Sequence, residues 1–148
     1  GPGEPATASA GLELIIVHYL LRARDIPLAG EWVGLQDFRG GNQFFVSHAP
    51  DFSRLLPLFA HEPDAVLSAA LALGGKRLDY GDLAVELQVL PRVPIAFVYW
   101  AASEDFAAST TVMFDRTVGQ HLPLDVMSAA LQEAISGLAE VATIEKGR

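Results

Sequence analysis

The sequence has no cysteine, and only two of its ten basic residues, Lys76 and Lys146, are lysines. Without cysteine there is no disulfide, no thiolate-held iron–sulfur cluster or zinc site, and no cysteine nucleophile. Acidic residues outnumber basic ones and give a net charge of −8. Nucleic-acid grooves and anionic membrane surfaces both require clustered positive charge. We therefore expect no nucleic-acid partner and no membrane partner.

Long hydrophobic runs and common catalytic motifs are also missing. The longest uncharged apolar stretches, Leu14 to Val17 and Pro94 to Ala102, are well short of the roughly 20 residues that span a membrane. The sequence has no phosphate-binding loop, no G-x-S-x-G elbow and no H-E-x-x-H pair. These absences predict a soluble, cytoplasmic protein outside the common nucleotide-binding, serine-hydrolase and zinc-protease classes.

The length and composition fit one globular domain. The chain has 148 residues, of which 51% are hydrophobic, so it can bury a core without help from a metal or a disulfide. Gly1-Pro2 is typical of the remnant of a cleaved purification tag, and the small residues up to position 10 resemble a linker. We expect a single domain over residues 11–148, as part of a longer protein.

Hydrophobic spacing predicts helices at both ends of the chain and in its middle. A helix begins near Leu12, and two short helices cover Pro50 to Ala60 and Pro63 to Leu73. A glycine-punctuated loop precedes them, with a short strand at Gln43 to Val46. A long amphipathic helix follows Leu122 and is expected to lie on a sheet.

Three strands are predicted between these helices. Asp82 to Leu90 alternates between apolar and polar residues, Ile95 to Ala101 is apolar on both faces, and Thr110 to Phe114 follows. The short connections, including the turn Pro91 to Pro94, favour antiparallel neighbours. The fold class is therefore α+β: a small meander of about three strands covered by an N-terminal helix, two short helices and a long C-terminal helix.

Histidines, arginine and aromatic residues are the candidates for a ligand site. Histidine is the side chain that titrates near neutral pH, and ligand pockets combine apolar walls with a few placed polar groups. The alternative is that the histidines are hydrogen-bonded core residues and that the aromatics are core. The ligand-binding candidates are His18, Trp32, Phe44, Arg92, Trp100 and His121.

Acidic residues lie near the ends of the predicted strands, at Asp82, Glu104, Asp105 and Asp115. Carboxylates at neighbouring strand ends supply an acid/base pair or bind a hard cation. The alternative is that they form turns and provide solubilising charge. The histidines are too far apart in the sequence for their spacing to indicate a metal site, so no metal is assigned and no cofactor is identified from the residues.

A series of short motifs runs in order from about Leu12 to Ile144. The motifs are His18-Tyr19-Leu20-Leu21, Pro27 to Val33, Phe38-Arg39-Gly40-Gly41, Leu73-Gly74-Gly75, Gly81-Asp82, Pro91 to Pro94, Glu104-Asp105-Phe106, Met113-Phe114-Asp115 and His121-Leu122-Pro123. Together they resemble domain-of-unknown-function family 3786 of anaerobic bacteria and archaea. The resemblance implies a link to corrinoid or iron–sulfur metabolism. The chain departs from that pattern because it has no cysteine and no D-x-H-x-x-G signature, so such a group would belong to a partner or bind differently.

Three hypotheses about function follow. The first is a non-catalytic ligand-binding or accessory domain, with a small molecule or a partner protein as the bound species. The second is a small acid/base or metal-assisted enzyme that uses His121 with Glu104, Asp105 or Asp115. The third is a protein–protein interaction module with an exposed apolar face. The sequence does not indicate the oligomeric state.

Overall fold

The computed structural model describes residues 13–17, 19 and 27–148, and residues 13–17 and 19 are helical. The further helices are α1 (Gly41–Ser47), α2 (Leu55–His61), α3 (Pro63–Ala72) and α4 (Leu124–Glu145). The strands are β1 (Trp32–Gly34), β2 (Lys76–Leu78), β3 (Leu83–Leu90), β4 (Val93–Trp100) and β5 (Ser109–Asp115). Short 3-10 helices cover Leu35–Asp37 and Arg116–Gln120. No helix in the described part of the chain has the length and apolar character needed to cross a membrane.

The described strands form one antiparallel sheet in the order β1-β5-β4-β3-β2. The α+β class and the meander of β3, β4 and β5 are confirmed, but the expected count of about three strands is wrong because the sheet has five. The two additional strands have three residues each. That is too short for a visible alternation of apolar and polar residues, and β2 begins with the exposed pair Lys76-Arg77. Both extra strands lie at the edges of the sheet. Burial constrains the sequence least at an edge, so these strands show little apolar pattern.

The central strand β4 is buried on both faces, as its apolar composition predicts. Ile95 and Phe97 face the helices, and Ala96 and Val98 on the opposite face are at most 1% exposed. The turn before β4 is tighter than expected. Arg92 has a φ of 63°, and β4 starts directly after it at Val93.

The core lies between the sheet and helices α2, α3 and α4. Helix α4 buries the stripe Val126, Met127, Ala130, Leu131, Ala134, Ile135, Leu138, Ala139 and Ala142. Four of these residues are alanines, and α3 buries three more, Ala65, Ala69 and Ala70. Small side chains let two helices approach closely, so α3 packs against α4 and α4 lies on the sheet. On the same face, Phe59 of α2 stacks on Tyr99 with ring centroids 5.5 Å apart.

The strand predicted at Gln43 to Val46 is wrong, because these residues belong to helix α1. Helix α1 follows Gly40, whose φ of 75° lets the chain reverse before the helix begins. The consecutive apolar residues Phe44, Phe45 and Val46 resemble a buried strand in the sequence. In the structure the two phenylalanines are half-buried and Val46 is 79% exposed.

Candidate functional site

The two ends of the β4–β5 pair separate the predicted site residues into two groups. Trp32 pairs with Asp115 at one end of β5, and Trp100 pairs with Ser109 at the other end. Six residue steps along a strand correspond to about 20 Å. We call these the Trp32 end and the Trp100 end of the sheet.

At the Trp32 end, the carboxylate of Asp115 fixes the segment that leads into β1. Asp115 Oδ1 accepts hydrogen bonds from the main-chain N–H of Ala29 (3.1 Å) and from the N–H and hydroxyl of Thr117 (3.0 and 2.6 Å). Asp115 Oδ2 accepts from the N–H of Gly30 at 3.0 Å. Burial alone would raise the pKa of Asp115, but these hydrogen bonds outweigh burial and hold the pKa below its ordinary value. Asp115 therefore acts as a buried, ionised acceptor.

A polar cleft of about 590 Å³ opens beside β1, lined by Glu31, Trp32, Val33, Asp37, Phe38, Arg39 and Arg116. We call it the arginine cleft. Arg116 Nη1 donates to Glu31 Oε2 at 3.2 Å, and Asp37 Oδ2 accepts from the N–H of Gly34 at 2.9 Å. The 3-10 helix after β1 turns the chain back, which places Arg39 beside the strand it has just left. The predicted candidate Trp32 is half-buried in this cleft.

Tyr19 contacts the candidate His121 and the residue that precedes the candidate Arg92. His121 is 1% exposed, and its ring lies edge-on to the Tyr19 ring with centroids 6.3 Å apart. The Tyr19 hydroxyl donates to the carbonyl of Pro91, the residue before Arg92. His121 is therefore a core residue rather than part of an open pocket, and the candidate His18 lies outside the described residues.

The predicted aromatic wall is divided among several contacts. Phe44 stacks on His48 with centroids 4.1 Å apart and lies edge-on to Phe45, so it interacts mainly within α1 and its C-terminal cap. Phe38 lies edge-on to Phe114 of β5. None of these contacts joins Phe44 to Trp32 or Trp100.

The candidates Trp100, Asp82, Glu104 and Asp105 lie at the Trp100 end. Asp82 Oδ2 accepts from the N–H of Ala101 at 2.7 Å, next to Trp100. Glu104 and Asp105 are exposed in the loop between β4 and β5. The structure therefore does not bring them together with His121 or Asp115. Across residues 13–17, 19 and 27–148, no group of three His, Cys, Asp or Glu side chains could hold a metal ion.

Sequence reasoning missed Arg39 and Arg116 as members of a site. Both stand next to chain reversals, Arg39 before Gly40-Gly41 and Arg116 directly after β5. The sequence signal that could have identified these two residues is an arginine beside a chain reversal in a chain whose net charge is −8. Their proximity depends on the pairing of β1 with β5, which the sequence did not predict.

Comparison with known protein families finds the family described as a domain of unknown function (DUF3786), whose model matches residues 3–136. No curated protein matches the chain, and no solved structure matches it. The family match covers most of the 148 residues and confirms the resemblance seen in the sequence motifs. The chain belongs to the DUF3786 family.

Proposed function

We propose that this domain binds a small ligand carrying a carboxylate or phosphate group, and that the arginine cleft is its site. The observation that carries the proposal is that Arg39, Arg116 and Trp32 all line one cleft of about 590 Å³. Guanidinium groups bind oxyanions through paired N–H donors, and an indole face supports an apolar part of the ligand.

The two arginines have different surroundings. Arg116 is already oriented by Glu31, although both side chains are more than half exposed, so this ion pair adds little stability. Arg39 makes no ion pair with another described residue. Arg39 is therefore available to an incoming anion, while Arg116 supplies a second guanidinium at the rim.

Binding is better supported than acid/base catalysis. An enzyme built on His121 would need a carboxylate partner within hydrogen-bond reach of a substrate. Glu104 and Asp105 lie at the other end of the sheet, and Asp115 already accepts four hydrogen bonds. His121 is only 1% exposed, which leaves little surface for a substrate.

The residues do not fit direct binding of a thiolate-held iron–sulfur cluster, and His121 does not fit the role of a corrinoid ligand. The chain has no cysteine to hold a cluster. The imidazole of His121 is buried in the core, where a corrin ring could not reach it. The link to corrinoid or iron–sulfur metabolism that we propose is through a partner protein that carries the group, with this domain as its accessory.

The test is thermal unfolding in the presence of acetate, citrate, phosphate or sulfate at constant ionic strength. A ligand at a hundred times its Kd stabilises by about 2.7 kcal/mol, which raises the melting temperature by roughly 8 °C for a chain of this size. Arg39→Gln should abolish the increase. Arg77→Gln, on the exposed part of β2, is the matched control and should retain it. If no anion stabilises the protein, or if Arg39→Gln responds like the parent, the proposal is wrong.

A further inference from the structure

Strand β1 covers only part of the outer edge of β5. Strand β5 has seven residues, but β1 pairs only with Met113, Phe114 and Asp115. After Gly34 the chain turns into a 3-10 helix and leaves the sheet. Within the described residues, no strand lies next to Ser109–Val112 on this side of β5. We call this stretch the free edge of β5.

The register shows which main-chain groups face outward along the free edge. The N–H of Arg116 donates to the carbonyl of Glu31 at 3.0 Å, in line with the pairing of Val33 and Phe114. In an antiparallel pair the residues that exchange hydrogen bonds alternate along the strand. Val112 and Thr110 therefore direct their N–H and C=O groups past the end of β1. An unpaired edge of this kind is a template for another strand.

A cavity of about 390 Å³ lies where the next strand would run. It is lined by Thr110 to Met113 on one side and by Gly34, Leu35, Gln36, Pro50 and Phe52 on the other. The hydroxyl oxygen of Thr110 is buried there without a hydrogen-bond partner. The cavity thus offers main-chain partners, one unsatisfied hydroxyl and apolar walls to an extended chain.

The surroundings of the free edge are aromatic and acidic. The indole N–H of Trp100 donates to Thr111 Oγ1 at 3.3 Å, although Trp100 is 47% exposed. Phe106, in the loop that leads directly into β5, is 77% exposed. Glu104 and Asp105 stand in the same exposed loop. Acidic side chains beside exposed aromatic rings attract Lys and Arg side chains, by charge and by cation–π contact.

We propose that the free edge of β5 binds an extended, basic segment of a partner protein by strand addition. The segment would pair with the main chain of Thr110 and Val112 and place apolar side chains in the cavity. Its Lys or Arg side chains would face Glu104, Asp105 and the ring of Trp100. Main-chain pairing supplies affinity in this mode, and the side-chain contacts supply specificity. A second copy of this chain is disfavoured as the occupant because each copy has a net charge of −8.

The probes for the test are two blocked hexapeptides, Lys-Val-Lys-Val-Lys-Val and Glu-Val-Glu-Val-Glu-Val. Binding is followed by amide chemical shifts of the isotope-labelled full chain. We expect the lysine peptide to change the amide chemical shifts of Ser109–Val112. The glutamate peptide should bind at least tenfold more weakly. A lysine peptide that is N-methylated at alternate residues lacks the N–H donors along one of its two edges. It should therefore also bind more weakly than the unmethylated lysine peptide.

Two variants separate main-chain pairing from charge. Thr110→Pro removes an outward N–H, and proline is tolerated on an edge strand at such a position. Because it also removes the buried Thr110 hydroxyl, it should weaken binding of the lysine peptide about tenfold, as expected from the loss of one or two hydrogen bonds. The double change Glu104→Gln with Asp105→Asn leaves the strand untouched and should also weaken binding. Its matched control is Glu62→Gln with Glu140→Gln, two exposed carboxylates on the helical layer.

Three results would overturn the proposal. The first is no binding of the lysine peptide by the parent chain. The second is equal binding of both peptides or of the N-methylated peptide, which would exclude strand pairing with a basic segment. The third is a dimer in sedimentation whose amide shifts map to the free edge, which would make a second copy the occupant. The Arg39→Gln variant should bind the peptide normally, so this result is independent of the arginine cleft.

Discussion

Removing the Asp115 carboxylate should destabilise the fold and also change how stability depends on pH. Asp115→Asn keeps the size of the side chain but replaces one acceptor oxygen with an NH2 donor. If the amide nitrogen faces Gly30, it opposes a main-chain N–H that Asp115 now satisfies. Water can satisfy the exposed Gly30 donor, but the remaining hydrogen bonds lose their charged acceptor, so we expect Asp115→Asn to cost about 1 kcal/mol. Asp115→Ala also removes the acceptor for the buried Thr117, and we expect a loss of roughly 2–5 kcal/mol.

The exposed donors contribute less to these losses than the buried ones. Ala29 and Gly30 are exposed, so water can replace the carboxylate there at small cost. Thr117 is only 6% exposed, so its N–H and hydroxyl keep most of their desolvation penalty. The free energy of unfolding of a small domain is about 5–15 kcal/mol, so both variants should remain folded at neutral pH.

The direction of the pH effect follows from the lowered pKa of Asp115. A carboxyl group whose folded-state pKa is below its unfolded value of about 3.9 stabilises the fold fully above that value. The stabilisation is lost as the pH falls through the folded-state pKa. The difference in unfolding free energy between the parent and Asp115→Asn should therefore be largest near pH 7 and shrink below about pH 4.

Urea unfolding followed by circular dichroism at pH 7, 5, 4 and 3 measures this difference. Asp51→Asn is the control, because Asp51 is an exposed carboxyl that accepts a local hydrogen bond from Ser53. It should change stability much less than Asp115→Asn. If Asp115→Asn is as stable as the parent at pH 7, or if the difference is the same at pH 3, the role assigned to Asp115 is refuted.

Three further changes test the packing. Gly137→Ala in α4 should stabilise the protein by about 0.5–1 kcal/mol in urea unfolding, because an added Cβ meets nothing within 4 Å; a loss of stability would contradict this. Gly75→Ala should lower the free energy of unfolding by about 1–3 kcal/mol in the same assay, because its Cβ would lie 2.1 Å from the carbonyl oxygen of Glu86. An unchanged unfolding midpoint would show that the backbone shifts to relieve this contact. Phe59→Ala should cost about 3–5 kcal/mol, since Phe59 is fully buried against Tyr99, and calorimetry showing a smaller loss would mean that the core collapses around the gap.

The sequence predicted those parts of the fold that periodic burial specifies. The alternation of Leu83, Val85 and Leu87 marks β3 because one face of that strand meets the helices. The helical spacing of apolar residues predicts α4 for the same reason, because one face of that helix is buried. The three-residue edge strands carry no such pattern. In Phe44 to Val46, three consecutive apolar residues gave the wrong secondary structure, since the local turn at Gly40 decides it.

The candidate site was harder to predict because it depends on contacts between distant residues. Trp32 was identified from its aromatic character, but Arg39 and Arg116 converge on it only because β1 pairs with β5. Asp115 was noted as an acidic strand end, yet its role comes from donors 85 and 86 positions earlier in the chain. Such distances are invisible to motif spacing.

The late position of β5 in the chain and the early position of β1 have a consequence for the order of folding. The meander of β2 to β5 forms through successive short loops, whereas pairing Gly34 with Met113 closes a loop of about 80 residues. Each doubling of loop length adds about 0.6 kcal/mol of closure entropy, so β1 should join a preformed meander and be among the first elements to leave it. We therefore expect the arginine cleft to form after the meander, and transient release of β1 to dismantle it while the helical core stays intact. An anion bound there would be detected first as slower hydrogen exchange of the N–H groups that join β1 to β5, including those of Val33 and Arg116.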